Sequence, residues 1–139
     1  MNLENLIAVS GMSGIYRMAA NRNNGLIIED LDTGKRKFAP ARRRQFTPLE
    51  SIGIYTDDGD TVELKTVFRN MLQQKADNPP VSPAAETETL KEYFADVLPN
   101  YDREKVHLGD MKKIVKWFHF LDERGYLTQD TPENQEEEE

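Results

Sequence analysis

The chain contains no cysteine, which excludes disulfide staples, thiolate metal sites and a cysteine nucleophile. It has only two histidines, His107 and His119, and neither an HExxH pattern nor any other metal-ligand spacing surrounds them. A zinc centre is therefore not expected. Long apolar runs are missing too. The longest, Leu6-Ile7-Ala8-Val9, falls far short of the roughly 20 residues that cross a bilayer, and no basic-then-apolar segment at the N-terminus resembles a signal peptide. No membrane association and no cofactor are expected, and the cytoplasm is the expected location.

Motifs of catalysis are equally scarce. Thr33-Gly34-Lys35 lacks the upstream glycine and the following Ser/Thr of a phosphate loop, and Gly11 with Gly14 is too little for a dinucleotide fingerprint. Asp57-Asp58-Gly59-Asp60 lacks the alternating ligands and closing glutamate of a calcium loop. No serine stands in a nucleophile-elbow context. The chain is not expected to be an enzyme.

What is abundant is charge. Charged residues make up 31 % of 139 positions and the net charge is −7, against a norm of roughly 25 % charged. Residues 1–72 hold ten Lys/Arg and nine Asp/Glu, whereas residues 73–139 hold eight and sixteen. Within the balanced half lies KRKFAPARRRQF, residues 35–46, with six basic side chains and no acidic one.

Hydrophobic patterning implies an α+β chain. Short strand-like segments at Leu6–Val9, Ile15–Ala19, Leu26–Leu31, Lys35–Ala39 (with one polar, exposed face) and Ile52–Tyr55 alternate with turn residues, and Asn24-Gly25 is a type I′ hairpin signal. Thr47-Pro48-Leu49-Glu50 combines a cap, a first-turn proline and a capping-box glutamate, which predicts a single helical turn. Short strands with one helical turn before the last give the order of a small SH3-like β barrel. Leu64, Val67, Phe68, Met71 and Leu72 then form one apolar helix stripe over about 62–74.

Residues 76–87, ADNPPVSPAAET, carry three prolines and no apolar period, the pattern of an extended linker. Beyond it, Leu90, Tyr93, Phe94, Val97 and Leu98 make a second stripe, and Met111, Ile114, Val115, Phe118 and Leu121 a third, with Asp110 as cap and Gly125 as stop. The expected organisation is an SH3-like barrel with its following helix at 1–75, a proline-rich linker at 76–87, a helical hairpin module at 88–128, and a disordered acidic tail at 129–139.

SGMSGIYR, NNGLIIEDLDTGKR, TPLESIGIYTDD and VLPNYDREKVHLGDMKKIVKWFHFLDERG together resemble a family of unknown function from Bacteroidota. The resemblance implies an SH3-like N-terminal domain and a small helical C-terminal domain. It covers roughly residues 1–127, and LPNYDREKV…DMKKI…WF is its most specific part. Met12-Ser13 and Gly109 depart from its pattern. It implies no activity, cofactor or catalytic residue.

The candidate binding residues are Lys35, Arg36, Lys37, Phe38, Arg42, Arg43 and Arg44, with Trp117 as a further candidate that either fills the gap against the barrel, the favoured reading, or makes a partner-facing anchor. Three readings compete for the basic segment: a solvated edge that blocks strand pairing, a groove for single-stranded DNA or RNA with aromatic rings for stacking, and a dock for a protein partner or for the chain's own acidic half. A non-enzymatic interaction or adaptor protein, working through a protein partner or self-association, is the favoured expectation. A nucleic-acid-binding regulatory protein is the alternative. Lys112, Lys113 and Lys116 suggest a recognition helix, but two helices are too few for a winged-helix domain, and an ordinary polar face explains their spacing.

Overall fold

The computed structural model of the protein describes residues 2–12 and 14–127; the expected acidic tail at 129–139 lies outside them. The chain divides into two compact units, Leu3–Ile52 and the described residues from Gly53 onward.

The first unit is one antiparallel sheet. Its strands are β1 (Leu6–Val9), β2 (Ile15–Arg22), β3 (Gly25–Asp30), β4 (Arg36–Pro40) and β5 (Phe46–Pro48), in the order β4-β3-β2-β1-β5. Ile7, Val9, Ile28 and Ala39 form the buried core of one face, with Tyr16, Met18, Leu26 and Phe46 packed around it. That face follows from register: Ile7 opposes Tyr16, Met18 opposes Ile28, Leu26 opposes Ala39 and Val9 opposes Phe46, and opposed residues point the same way. A bulge between Met18 and Ala20 shifts the β2–β3 register by one residue.

The expected closed barrel does not form: β4 and β5, consecutive in the chain, sit on opposite edges with no ladder between them. The sheet is nevertheless curled. Flat, it would hold these strands about 19 Å apart across four strand spacings. Yet the chain doubles back directly after β4, where the Arg43 and Arg44 N–H groups donate to Pro40 O (3.2 and 3.1 Å). Gln45 already sits on the end of β1, accepting from Ser10 N–H at its carbonyl (2.9 Å) and donating to Ser10 Oγ (2.8 Å).

Two local expectations are corrected. The β2–β3 loop is Asn23-Asn24, with Gly25 already in β3 opposite Pro40 and its φ not positive. A type I′ turn, which needs positive φ at both central residues, is therefore absent here. Thr47 does not cap a helix, because it is spent in β5 opposite Ala8. The following 3₁₀ turn, Leu49–Ser51, starts at Pro48 without a side-chain cap.

The second unit holds β6 (Gly53–Tyr55), β7 (Thr61–Glu63), α1 (Leu64–Gln74), α2 (Thr87–Val97) and α3 (Leu108–Glu123). β6 was expected to finish the barrel but pairs with β7 across the Asp57–Asp60 turn. There Thr56 Oγ1 donates to Asp58 (2.6 Å), and this bond, followed by the Asp60 N–H, holds the Asp58 carboxyl below its usual range. The segment after α2 adds to the hairpin: Thr56 bridges Tyr101, Asp57 N–H donates to Asn100 O (2.8 Å) and Asp102 N–H to Tyr55 O (2.9 Å).

The three stripes read from sequence are buried, apart from a half-buried Leu72, but the division of the chain differs from expectation. α1 belongs with α2 and α3. Asn70 donates to Val97 O (3.1 Å), Gln74 to Asp96 O (3.0 Å), Lys75 pairs with Asp122 (2.6 Å), and the Phe68 and Phe118 rings meet edge to face at 5.9 Å. A separate two-helix module is not what forms. Residues 76–86 are without helix or strand, yet they are no free spacer. His119 Nε2 donates to Val81 O (2.9 Å), and Asn78 donates to Gln74 Oε1 (3.1 Å). The other histidine serves the start of α3, where His107 N–H donates to the Asp110 carboxylate (3.0 Å), placing Asp110 inside the first turn and not at the cap.

One buried group in this unit makes stability depend on pH. The Tyr93 hydroxyl has no hydrogen-bond partner among the described residues, and burial, with the nearby Asp96 charge, pushes its pKa up to about 12. The unfolded chain gives up this proton near pH 10, so stability present below pH 10 is lost as the pH rises toward about 12. The loss is on the order of 2–3 kcal/mol. Denaturant titrations at pH 9 and 11.5 should show it, and Tyr93→Phe should abolish the part due to this residue while being neutral or stabilising at pH 7.

Candidate interaction surface

The Asp30–Lys35 turn sets the geometry of the basic segment. Asp30 Oδ1 accepts from Asp32 and Thr33 N–H (2.8 and 2.9 Å), and Asp30 N–H donates to Lys35 O (2.9 Å). This fixes Glu29 opposite Arg36 and Ile27 opposite Phe38. Glu29 also opposes Arg17 on β2, so a charge ladder runs across three strands. Arg36 Nε donates to Glu29 Oε1 at 3.0 Å, and Arg17 Nε lies 4.0 Å from Glu29 Oε2. Arg36 is thus partly neutralised where it stands.

Arg44 is also committed to the fold. Its Nη1 donates to Ser10 O (2.9 Å) and lies across Gly11. A Cβ there would displace the tip of the Arg44 side chain from this bond, and the φ of +77° at Gly11 favours glycine in any case.

Lys35, Lys37, Arg42 and Arg43 remain. All four are exposed, and their side chains have no partner among the described residues. Phe38, on the same strand, is 43 % exposed. Of the seven residues expected to form a surface here, five are therefore available and two are mainly architectural. Trp117, the eighth candidate, lies in the other unit, half-buried on α3 beside the fully buried Phe118.

Glu29 and Ser10 were missed in the sequence. The Asp32-Thr33-Gly34 turn carried the signal for Glu29, since pairing outward from it sets position 29 against 36. No local signal marked Ser10, which meets Arg44 across more than thirty residues. The LPNYDREKV stretch proves architectural. Tyr101 is buried edge to face against Phe94 at 5.0 Å, Arg103 covers its ring at 4.0 Å, and Asp102 caps the Glu104 and Lys105 N–H groups. Among the described residues no group of three or more His, Asp or Glu is placed to hold a metal ion, and no helix is long and apolar enough to cross a membrane.

Residues 3–49 match a family described as a domain of unknown function (DUF5606), and residues 52–121 match a domain of unknown function (DUF6852). The second match spans half of the chain. The protein belongs to the DUF6852 family. The junction of the two matches falls at the boundary between the compact units, Ile52/Gly53. A solution NMR structure of a Bacteroides vulgatus protein, determined as a structural-genomics target, is 34 % identical over 89 % of this chain and 88 % of its own, with a TM-score of 0.70. These DUF families and the Bacteroides relative agree with the expected family of unknown function. No protein of curated function matches the sequence.

Proposed function

We propose that this DUF6852 protein is a non-enzymatic cytoplasmic interaction protein, whose first unit binds an acidic protein partner through the β4 segment. The observation that carries the reading is the set of four exposed cations, Lys35, Lys37, Arg42 and Arg43, left without partners while Arg36 and Arg44 of the same segment are bonded within the unit. The strand order β4-β3-β2-β1-β5 supports regarding the unit as an opened SH3-like sheet, a fold class that positions short loops and edges for recognition.

A second reading, single-stranded nucleic acid, is favoured by one feature only: the exposed Phe38 ring next to Lys37 offers a base a stacking surface. The net charge of −7 opposes any anionic partner at long range and weighs more heavily against a nucleic-acid strand, which carries a charge at every nucleotide, than against a segment that alternates acidic and apolar residues.

Magnitudes also limit what charge alone does. Four exposed ion pairs at about 0–1 kcal/mol each give no more than about 4 kcal/mol, which corresponds to a Kd near 1 mM. Useful affinity requires something further from the same strand. Fluorescence anisotropy with a labelled glutamate-rich peptide and a 12-nucleotide single strand, at 20 and 200 mM salt, tests the function. The peptide should bind at low salt and lose affinity when Lys35, Lys37, Arg42 and Arg43 are changed to glutamate. A salt slope near −3 for the oligonucleotide, the value for four phosphate contacts on a single strand, with no peptide binding, would replace this reading by the second.

A further inference from the structure

We propose that the acidic partner binds as an added β-strand on the outer edge of β4, hydrogen-bonded to the backbone of Arg36 and Phe38. The inference rests on the reading of the basic segment above and adds the mode of recognition and the sequence pattern of the partner.

The phase of the hydrogen bonds carries it. Asp30 N–H donates to Lys35 O, and Ala41 N–H donates to Asn24 O (2.9 Å each). Between these two bonds the register is unbroken. Residues 35, 37, 39 and 41 therefore turn their backbone groups toward β3, while Arg36, Phe38 and Pro40 turn theirs outward. Proline has no N–H, and Pro40 O already accepts from Arg43 and Arg44. The outer edge thus presents the N–H and C=O of two residues, Arg36 and Phe38, and stops at Pro40.

The opposite edge of the sheet offers less. By the same alternation, Ser10 N–H bonds to Gln45 O, so Phe46 and Pro48 face outward from β5. Pro48 has no donor, and its carbonyl accepts from Ser51 Oγ (2.8 Å). The β5 edge is thus left with the outward backbone groups of Phe46 alone, whereas the β4 edge presents those of two alternate residues, Arg36 and Phe38.

Charge selects the occupant. A second copy pairing β4 to β4 would bring Lys35, Arg36 and Lys37 against the same cations, a repulsive arrangement. A strand with acidic residues opposite Lys37 and Lys35 is attracted instead. Residues directly opposed share a face, so the partner's residue opposite Phe38 falls on the face that already carries Phe38 and Ile27, where an apolar side chain extends the exposed ring. The partner pattern is acidic and apolar residues in alternation.

The probe is a capped heptapeptide of alternating glutamate and valine, added to the full-length protein at low salt. The test is hydrogen exchange by NMR. Saturating peptide should slow exchange of the Arg36 and Phe38 amides at least tenfold. A version N-methylated at every second residue, in the phase that bonds to β4, should bind at least tenfold more weakly. If the peptide binds and shifts Lys35, Lys37, Arg42 and Arg43 but leaves the Arg36 and Phe38 exchange unchanged, and N-methylation makes no difference, strand addition is overturned while the acidic-partner reading stands. If the peptide does not bind at all, whether or not a single-stranded oligonucleotide does, both are overturned.

Discussion

Phe118→Ala is expected to destabilise the second unit by about 3–5 kcal/mol, the range for emptying a fully buried phenylalanine site. Phe118 is wholly buried on α3, and its ring meets Phe68 of α1, itself wholly buried, edge to face at 5.9 Å. Removing it therefore unfastens α1 from α3 as well as opening a void. Domains of this size have only about 5–15 kcal/mol to lose, so the variant should leave the unit close to unfolding at 37 °C. Hydrogen exchange resolves the effect by residue. Amides of α1, α2 and α3 should lose most of their protection. By contrast, Phe120→Ala should cost little, since Phe120 is half-buried and covered by Arg124 at 3.7 Å. Equal losses from the two substitutions would contradict this account of the core.

The contrast between the two phenylalanines shows what was legible in the sequence. A helix stripe announces itself, because burial repeats every three or four residues over three turns, and the positions read as core are buried in all three helices except for the half-buried Leu72. Strand partners have no such announcement. Ile52-Gly53-Ile54-Tyr55 looks like a strand and is one, but nothing in those residues says whether it closes the first sheet or pairs with Thr61–Glu63. β5 was invisible for a different reason. Thr47-Pro48-Leu49-Glu50 satisfies the local chemistry of a helix start, and only the distant Ala8 recruits Thr47 into a ladder. Prolines likewise misled: residues 76–86 have the composition of a linker, yet His119, far along the chain, fixes Val81. The basic segment was legible as composition and as an edge. Its division into committed and available cations was not, because that depends on Glu29 and Ser10.

Gly25→Ala is the second large effect expected, and it reaches the interaction surface without altering a charge. A Cβ at this position would stand 2.2 Å from Ala39 O and 2.9 Å from the tip of the Phe38 ring. The ring is able to swing aside; the carbonyl belongs to β4, so the strand itself must move away from β3. Gly25 opposes Pro40 at the end of the β3–β4 ladder, next to the Ala41-to-Asn24 bond, and that end is where the separation begins. Overpacking costs about 1–3 kcal/mol, occasionally more, and a clash with backbone belongs in the upper part of that range. At roughly 4–8 °C per kcal/mol for a small domain, the melting transition of the first unit should fall by about 10 °C or more. Gly34→Ala is the internal control, because a Cβ there meets nothing within 4 Å and the cost is confined to its positive φ. The same pair of variants discriminates between the roles of β4. If recognition uses the ordered edge, Gly25→Ala should weaken the glutamate–valine peptide at a temperature where the protein is still folded, and Gly34→Ala should do so much less. If the cations act merely as a diffuse positive field, both variants should bind like the parent, since Lys35, Lys37, Arg42 and Arg43 are present in each.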